Sequence, residues 1–384
     1  MSVPAVVLDL SLNGISMART LGRAGVPVIA FDSGSKVRLG RTRYADCREC
    51  PDPAVDEEGV VSLLIDEAVK LGERPVLYAG SDDFVLCVSR HRASLQPYYR
   101  FLLPDPDLVE ALMDKRATHR LALEHGVPVP RTWMTDETDI EAVAEEAQFP
   151  CILKPAASYR FRRTINEKAF LVRTRSELKE KYRFLEKAGA LMVQEWIPGA
   201  DDAIYQIGFF IDEGGTLRAR FAGRKLLQFP PTFGSGAVTV SESHPEVIAL
   251  ATRFVQRLNV VGLSNAEFKR DPRDGSFKLM EVDPRLWLWH DVARPAGVDL
   301  VSLYYHHLCG RPSAPILSQR DDIKWVYEVR AALAAWDEIR TRRLSVRRFM
   351  SYLRGERHYA SFALDDPMPF LRLTHSHLRN RGKK

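Results

Sequence analysis

No stretch of this 384-residue chain approaches the length of a membrane span. Its apolar runs, such as 75–78 and 85–88, fall far short of the about 20 residues a helix needs to cross a bilayer, so no membrane partner is expected. Cysteine is scarce: Cys47, Cys50, Cys87, Cys151 and Cys309 make an odd count, which does not build a disulfide framework in a chain of this length. Cys47 and Cys50 form a C-x-x-C pair, but no second pair of ligands follows at zinc spacing. Two ordinary reduced thiols are the reading, with a redox pair as the alternative. A G-x-G-x-x-G fingerprint is also missing, because the first strand-to-helix turn reads Ser11-Leu12-Asn13-Gly14. Asp32, at the end of the second strand, therefore reads as a structural carboxylate rather than the ribose ligand of a dinucleotide site. The net charge of +5 is mild and local, gathered at 160–163, 340–348 and 379–384. No base-stacking motif accompanies those clusters, so no nucleic-acid partner is expected. The N-terminus has no basic region and runs straight into an apolar strand pattern; no leader is read, and the cytoplasm is the expected compartment.

What is present is ample material for two or three packed units, with 45% hydrophobic residues. Through the first hundred residues strand and helix signals alternate: strands at 5–10, 26–31 and 76–79, helices at 14–22, 59–71 and 84–95. Such alternation predicts a parallel sheet with crossover helices. Pro104 and Pro106 mark a boundary, and a single helix is expected over 108–126. The middle of the chain predicts antiparallel hairpins: 205–212 with 217–224, and 264–269 with 277–282, each pair joined by a Gly-containing turn. After residue 312 the pattern becomes helical and basic.

Four features carry chemistry. Lys154 precedes Pro155 at a strand end. Gln194-Glu195-Trp196-Ile197-Pro198-Gly199 leads into Asp201 and Asp202. Glu267 lies on one strand of the second hairpin, and Glu281, Asp283 and Arg285 lie on the other. A period of two puts Glu281 and Asp283 on one face, and pairing can bring Glu267 beside them. Clustered carboxylates repel, and a hard divalent cation resolves that cost; Mg²⁺ takes oxygen ligands, commonly carboxylates together with substrate phosphates. The competing reading is a solvated, charge-laced hairpin. Arg285 could hold a phosphate or carboxylate in bidentate geometry, and Lys154 could reach phosphates as a point charge.

In this order and spacing, together with Asp114-Lys115, the residues from 1 to about 310 resemble the ATP-grasp superfamily, most closely its carboxylate–amine ligase branch that includes D-aspartate-ligase-like enzymes. The segment 359–371, with Asp365-Asp366, resembles the tail of that branch. The resemblance implies an α/β and α+β fold: a Rossmann-like parallel-sheet domain (1–105), an ATP-grasp small lobe with a lid (106–195), a large lobe with the metal site (196–312), and a helical basic extension (313–384). It implies an ADP-forming ligase that activates a carboxylate as an acyl phosphate and couples it to an amine, with ATP and two Mg²⁺ ions as cofactors and a homodimer as a possible assembly. An ATP-dependent small-molecule kinase and a non-catalytic nucleotide-binding module are the alternatives.

By the same resemblance Lys115 and Lys154 would contact ATP phosphates, and Glu195, Trp196 and Ile197 would form the adenine site. Asp201 or Asp202 would hold ribose. Glu267 and Glu281 would ligate Mg²⁺, with Asp283 where the family usually has Asn. Arg285, Arg224 and Lys225 would face the transferring phosphoryl and acyl groups. The lid at 156–168 departs from the usual Gly/Ser-rich pattern; its Arg160, Arg162 and Arg163, with Lys168, are phosphate clamps or a solvated face. Trp287 and Trp289 read as core first and pocket wall second, and His290 as structural or as a base. Ser81-Asp82-Asp83 ends a first-domain strand, the edge where substrates of such folds sit. No metal is expected at His306-His307 or at His375 and His377.

Overall fold

The structure, a computed structural model, describes residues 2–156 and 168–381. Fifteen strands are named here in chain order: β1 Ala5–Leu8, β2 Val28–Asp32, β3 Asp46–Glu49, β4 Val76–Ala79, β5 Thr132–Met134, β6 Cys151–Pro155, β7 Phe170–Val172, β8 Leu191–Glu195, β9 Ile204–Ile211, β10 Leu217–Phe229, β11 Ser235–Ser241, β12 Gly262–Arg270, β13 Phe277–Asp283, β14 Lys324–Val326 and β15 Arg357–Tyr359.

They form three sheets. The first is parallel, in the order β3-β2-β1-β4. All four residues of β1 are buried, the signature of a strand covered on both faces. Helix Glu57–Leu71 packs against this sheet; Asp56 caps it by accepting from Gly59 N, and Gly72 ends it in the left-handed region at φ 67°. Strand β3 carries exposed and half-buried polar residues, so it had no apolar pattern to read.

The second sheet, β5-β8-β6-β7, is antiparallel and has its own core around Trp133, Leu153, Val172 and Val193. The third is seven-stranded, β13-β12-β9-β10-β11-β14-β15. Strand β9 lies inside it, between β12 and β10, with all eight residues buried, and both expected hairpins are present in the sheet.

Two expectations are corrected. The helix read over 108–126 breaks into Pro106–Met113 and Lys115–Glu124. Asp114 leaves helical geometry at the break and caps the second helix through Arg116 N, while Lys115 N donates to Ala156 O. The chain beyond residue 312 is not a purely helical appendage, because β14 and β15 extend the large sheet. Its far end is fastened to the first domain. The buried Arg19 donates to Asp366 Oδ2 at 3.0 Å and to the Ser361 and Asp366 carbonyls, and Thr42 Oγ1 donates to Asp366. Arg23 and Tyr44 hold Asp365.

Candidate active site

A cleft of about 880 Å³ runs between the three sheets. Its floor is the β12–β13 hairpin, where pairing across the strands places Glu267 directly opposite Glu281 and Asn265 opposite Asp283. Lysines answer the two glutamates: Lys225 Nζ from β10 lies 2.9 Å from Glu267, and Lys115 Nζ lies 3.0 Å from Glu281. Lys115 can reach there because the Asp114 break starts a new helix at this spot. Its ammonium holds the Glu281 carboxyl below the usual range; burial works against the Lys115 charge, and Glu281 together with Asp283 and Asp82 raises its pKa overall.

Lys154 approaches from β6 and is buried. Its Nζ donates to Gln194 Oε1 at 2.8 Å; Gln194 Nε2 donates to Thr132 Oγ1, and Thr132 donates to the Pro130 carbonyl. This chain of hydrogen bonds crosses the second sheet: Thr132 lies directly opposite Gln194, and Lys154 reaches it diagonally from two residues beyond Ile152, the partner of Gln194 on β6. Burial, and then the Lys115 charge, push Lys154 down to about 7.

Arg285 sits where β13 meets the first domain. It donates to Asp82 at 2.6 Å, at the start of helix Asp82–Arg90, and lies 3.6 Å from Asp283. Asp283 also receives Asn265 Nδ2 at 3.4 Å, and burial pushes its carboxyl up to about 6. Asp82 and Ser81 line the same cleft as the lysines, so the carboxyl end of β4 does face the site.

At the opposite end Glu195, Trp196 and Ile197 line the cleft. Lys269, which sequence reasoning did not single out as a site residue, donates to the Ile197 carbonyl at 2.7 Å and lies 4.6 Å from the centroid of the Trp196 ring. The Glu195 side chain is held by Lys278 at 2.9 Å and Arg273 at 3.3 Å.

Three expected residues stand outside the cleft lining. Asp201 accepts from the Gln228 backbone and side chain at 2.9 and 2.8 Å. Asp202 pairs with Arg348 at 3.0 Å. Arg224 is turned to Glu242 at 2.7 Å. Each is engaged by a partner far off in sequence, which no local pattern signals. Arg160, Arg162, Arg163 and most of the lid lie outside the described residues; Lys168 lines the cleft and donates to Ser235 Oγ at 3.4 Å.

Trp287 and Trp289 are buried, meet edge to face at 5.5 Å, and also line the cleft. Trp287 fits because Gly208 leaves room: a Cβ there would come within 2.0 Å of its ring. His290 is a core residue, hydrogen-bonded to Ser16 Oγ and the Trp287 carbonyl, and burial lowers its pKa. Cys47 and Cys50 are free thiols, and burial raises both, Cys50 to about 12.

Among the described residues no three His, Cys, Asp or Glu side chains form a ready-made metal cluster. The Glu267–Glu281 pair nevertheless fits Mg²⁺, which typically takes about one or two protein carboxylates and completes its shell with phosphate and water oxygens. Asp283, the third expected ligand, lies 3.6 Å from Arg285 and accepts from Asn265 at 3.4 Å.

No protein-family model matches the chain. It is 26% identical over 299 residues to the D-aspartate ligase of Enterococcus faecium, covering 73% of this chain and 70% of that protein. The biotin carboxylase domain of Hydrogenobacter thermophilus 2-oxoglutarate carboxylase, crystallised as a dimer with MgADP, ADP and bicarbonate, superimposes with a TM-score of 0.65 at 17% identity, over 84% of this chain and 74% of that one. The L-amino acid ligase of Bacillus licheniformis gives a TM-score of 0.62 at 16% identity, over 82% and 75%.

Proposed function

We infer, for a chain that belongs to the ATP-grasp carboxylate–amine ligases, that this cleft activates a carboxylate with ATP, releases ADP, and joins the acyl group to an amine. The observation that carries the reading is the opposition of Lys115, Lys154 and Lys225 to Glu267 and Glu281 within one cleft that reaches the strand ends of the first domain.

The proposed roles follow from position. The backbone at Glu195 and Ile197 receives the adenine edge, with Lys269 fixing the Ile197 carbonyl from behind and Trp196 at the side. Lys115 and Lys154 face the phosphates, Lys154 with its Nζ hydrogen-bonded to the neutral Gln194. Glu267 and Glu281 would hold Mg²⁺, which when bound would neutralise phosphate charge during the transfer. Lys225 is released from Glu267 to meet the acyl phosphate. Arg285, oriented by Asp82, offers its guanidinium to the oxyanion that forms as the amine attacks. The buried tryptophans keep water from that end of the cleft, so the acyl phosphate meets the amine before it hydrolyses. Ribose contact by Asp201 or Asp202 and phosphate contact by Arg224 would each first require release from Gln228, Arg348 or Glu242.

Incubation with ATP, Mg²⁺ and a panel of carboxylates and amines is expected to release ADP and phosphate, and hydroxylamine is expected to trap the acyl phosphate. Appearance of AMP and pyrophosphate instead would refute the scheme. A phosphate ester that resists hydroxylamine would point to a kinase.

A further inference from the structure

We propose that the C-terminal face of the protein docks on an anionic lipid surface, a property separate from ligation. Two independent features lead there. The first is charge. From Arg340 to Lys384 the sequence holds twelve Arg and Lys against three Asp and Glu, although the whole chain carries only +5. The rest of the chain is therefore net acidic, and the excess positive charge lies at one end of the sequence, where Arg343 and Arg348 are answered by Glu338 and Asp202 from outside it. The three acids in the segment all answer cations outside it: Glu356 pairs with Arg320, Asp365 with Arg23, and Asp366 with Arg19.

The second feature is apolar. Leu364 is 89% exposed, and Leu371 and Leu378 are 53% and 58% exposed. The latter two stand seven residues apart in helix Met368–Arg381 and so share a face, with Met368 one turn before Leu371. Tyr359 and Phe362 are also half-exposed, with rings 6.4 Å apart, and Phe362 meets Phe370 of the same helix at 5.5 Å. That helix contains Arg372, Arg379 and Arg381 and no acidic residue. A helix with exposed leucines whose formally charged residues are all basic matches the pattern of interfacial helices. Its leucines project instead of lining a groove, which suits a soft phase better than a peptide. Two copies of so basic a face would repel each other, which disfavours self-association through it. Among the described residues no helix is long and apolar enough to cross a membrane, so the contact is peripheral.

The test sediments the full-length protein with phosphatidylcholine vesicles, with and without phosphatidylglycerol. Binding is expected to the anionic vesicles alone and to disappear at high salt. Leu371→Glu with Leu378→Glu should weaken it at least about tenfold by removing the inserted surface. Arg347→Glu with Arg379→Glu should weaken it by about fivefold or more per charge, with melting temperature and ATP turnover unchanged. Equal binding to neutral vesicles, no binding by the parent protein, undiminished binding by both variants, or a preference for duplex DNA over vesicles would overturn the proposal.

Discussion

Replacing Lys154 by methionine is expected to end turnover while stabilising the ligand-free protein near neutral pH. The ammonium is buried on β6, and burial together with Lys115 lowers its pKa from 10.5 to about 7. A pKa unit corresponds to about 1.4 kcal/mol, so keeping this side chain folded costs on the order of 5 kcal/mol at pH 7 and below. Methionine has a similar straight shape and no charge, but it strands Gln194 Oε1, a loss of about 1–3 kcal/mol. The net gain is roughly 2–4 kcal/mol at pH 7. Because the folded pKa is depressed, the unfolded chain holds a proton between 7 and 10.5 that the folded protein has lost, so the parent gains stability as pH rises through that window. The advantage of Lys154→Met must shrink across it and change sign near its upper end. Denaturation of parent and variant at one pH below 7 and one near 10.5 measures this directly. An equal difference at both pH values, or a destabilised variant at the lower one, refutes the electrostatic account; retained ligase turnover refutes the role of Lys154.

Three further outcomes follow from the same packing. Gly208→Ala places a methyl within 2.0 Å of the Trp287 ring, so a loss of about 1–3 kcal/mol is expected, seen as a lower melting temperature together with reduced turnover. Asp366→Ala leaves the buried Arg19 facing only carbonyls; about 3 kcal/mol should be lost, and limited proteolysis should cut the C-terminal segment first. Lys269→Ala frees the Ile197 carbonyl and uncovers Trp196, so the KM for ATP should rise with little change in kcat; an unchanged KM would remove Lys269 from the nucleotide site.

Local sequence determined much of this protein. Alternating strand and helix signals specified the parallel first sheet, because a fully buried strand and an amphipathic crossover helix each carry their own period. The hairpin with Glu267 and Glu281 was legible for a similar reason: a turn holding Gly275 fixes the register, and the register sets which carboxylates face each other. Tertiary structure decided the rest. Lys269 reaches Ile197 across 72 residues of sequence, and Arg285 reaches Asp82 across 203. Asp201, Asp202 and Arg224 are held by partners from other elements. Strands β14 and β15, three residues each, are too short to show a period and exist because a neighbouring strand offers unpaired backbone groups. Periodicity and turn chemistry are written in adjacent residues, whereas the partner of a charged side chain is chosen only when distant segments pack.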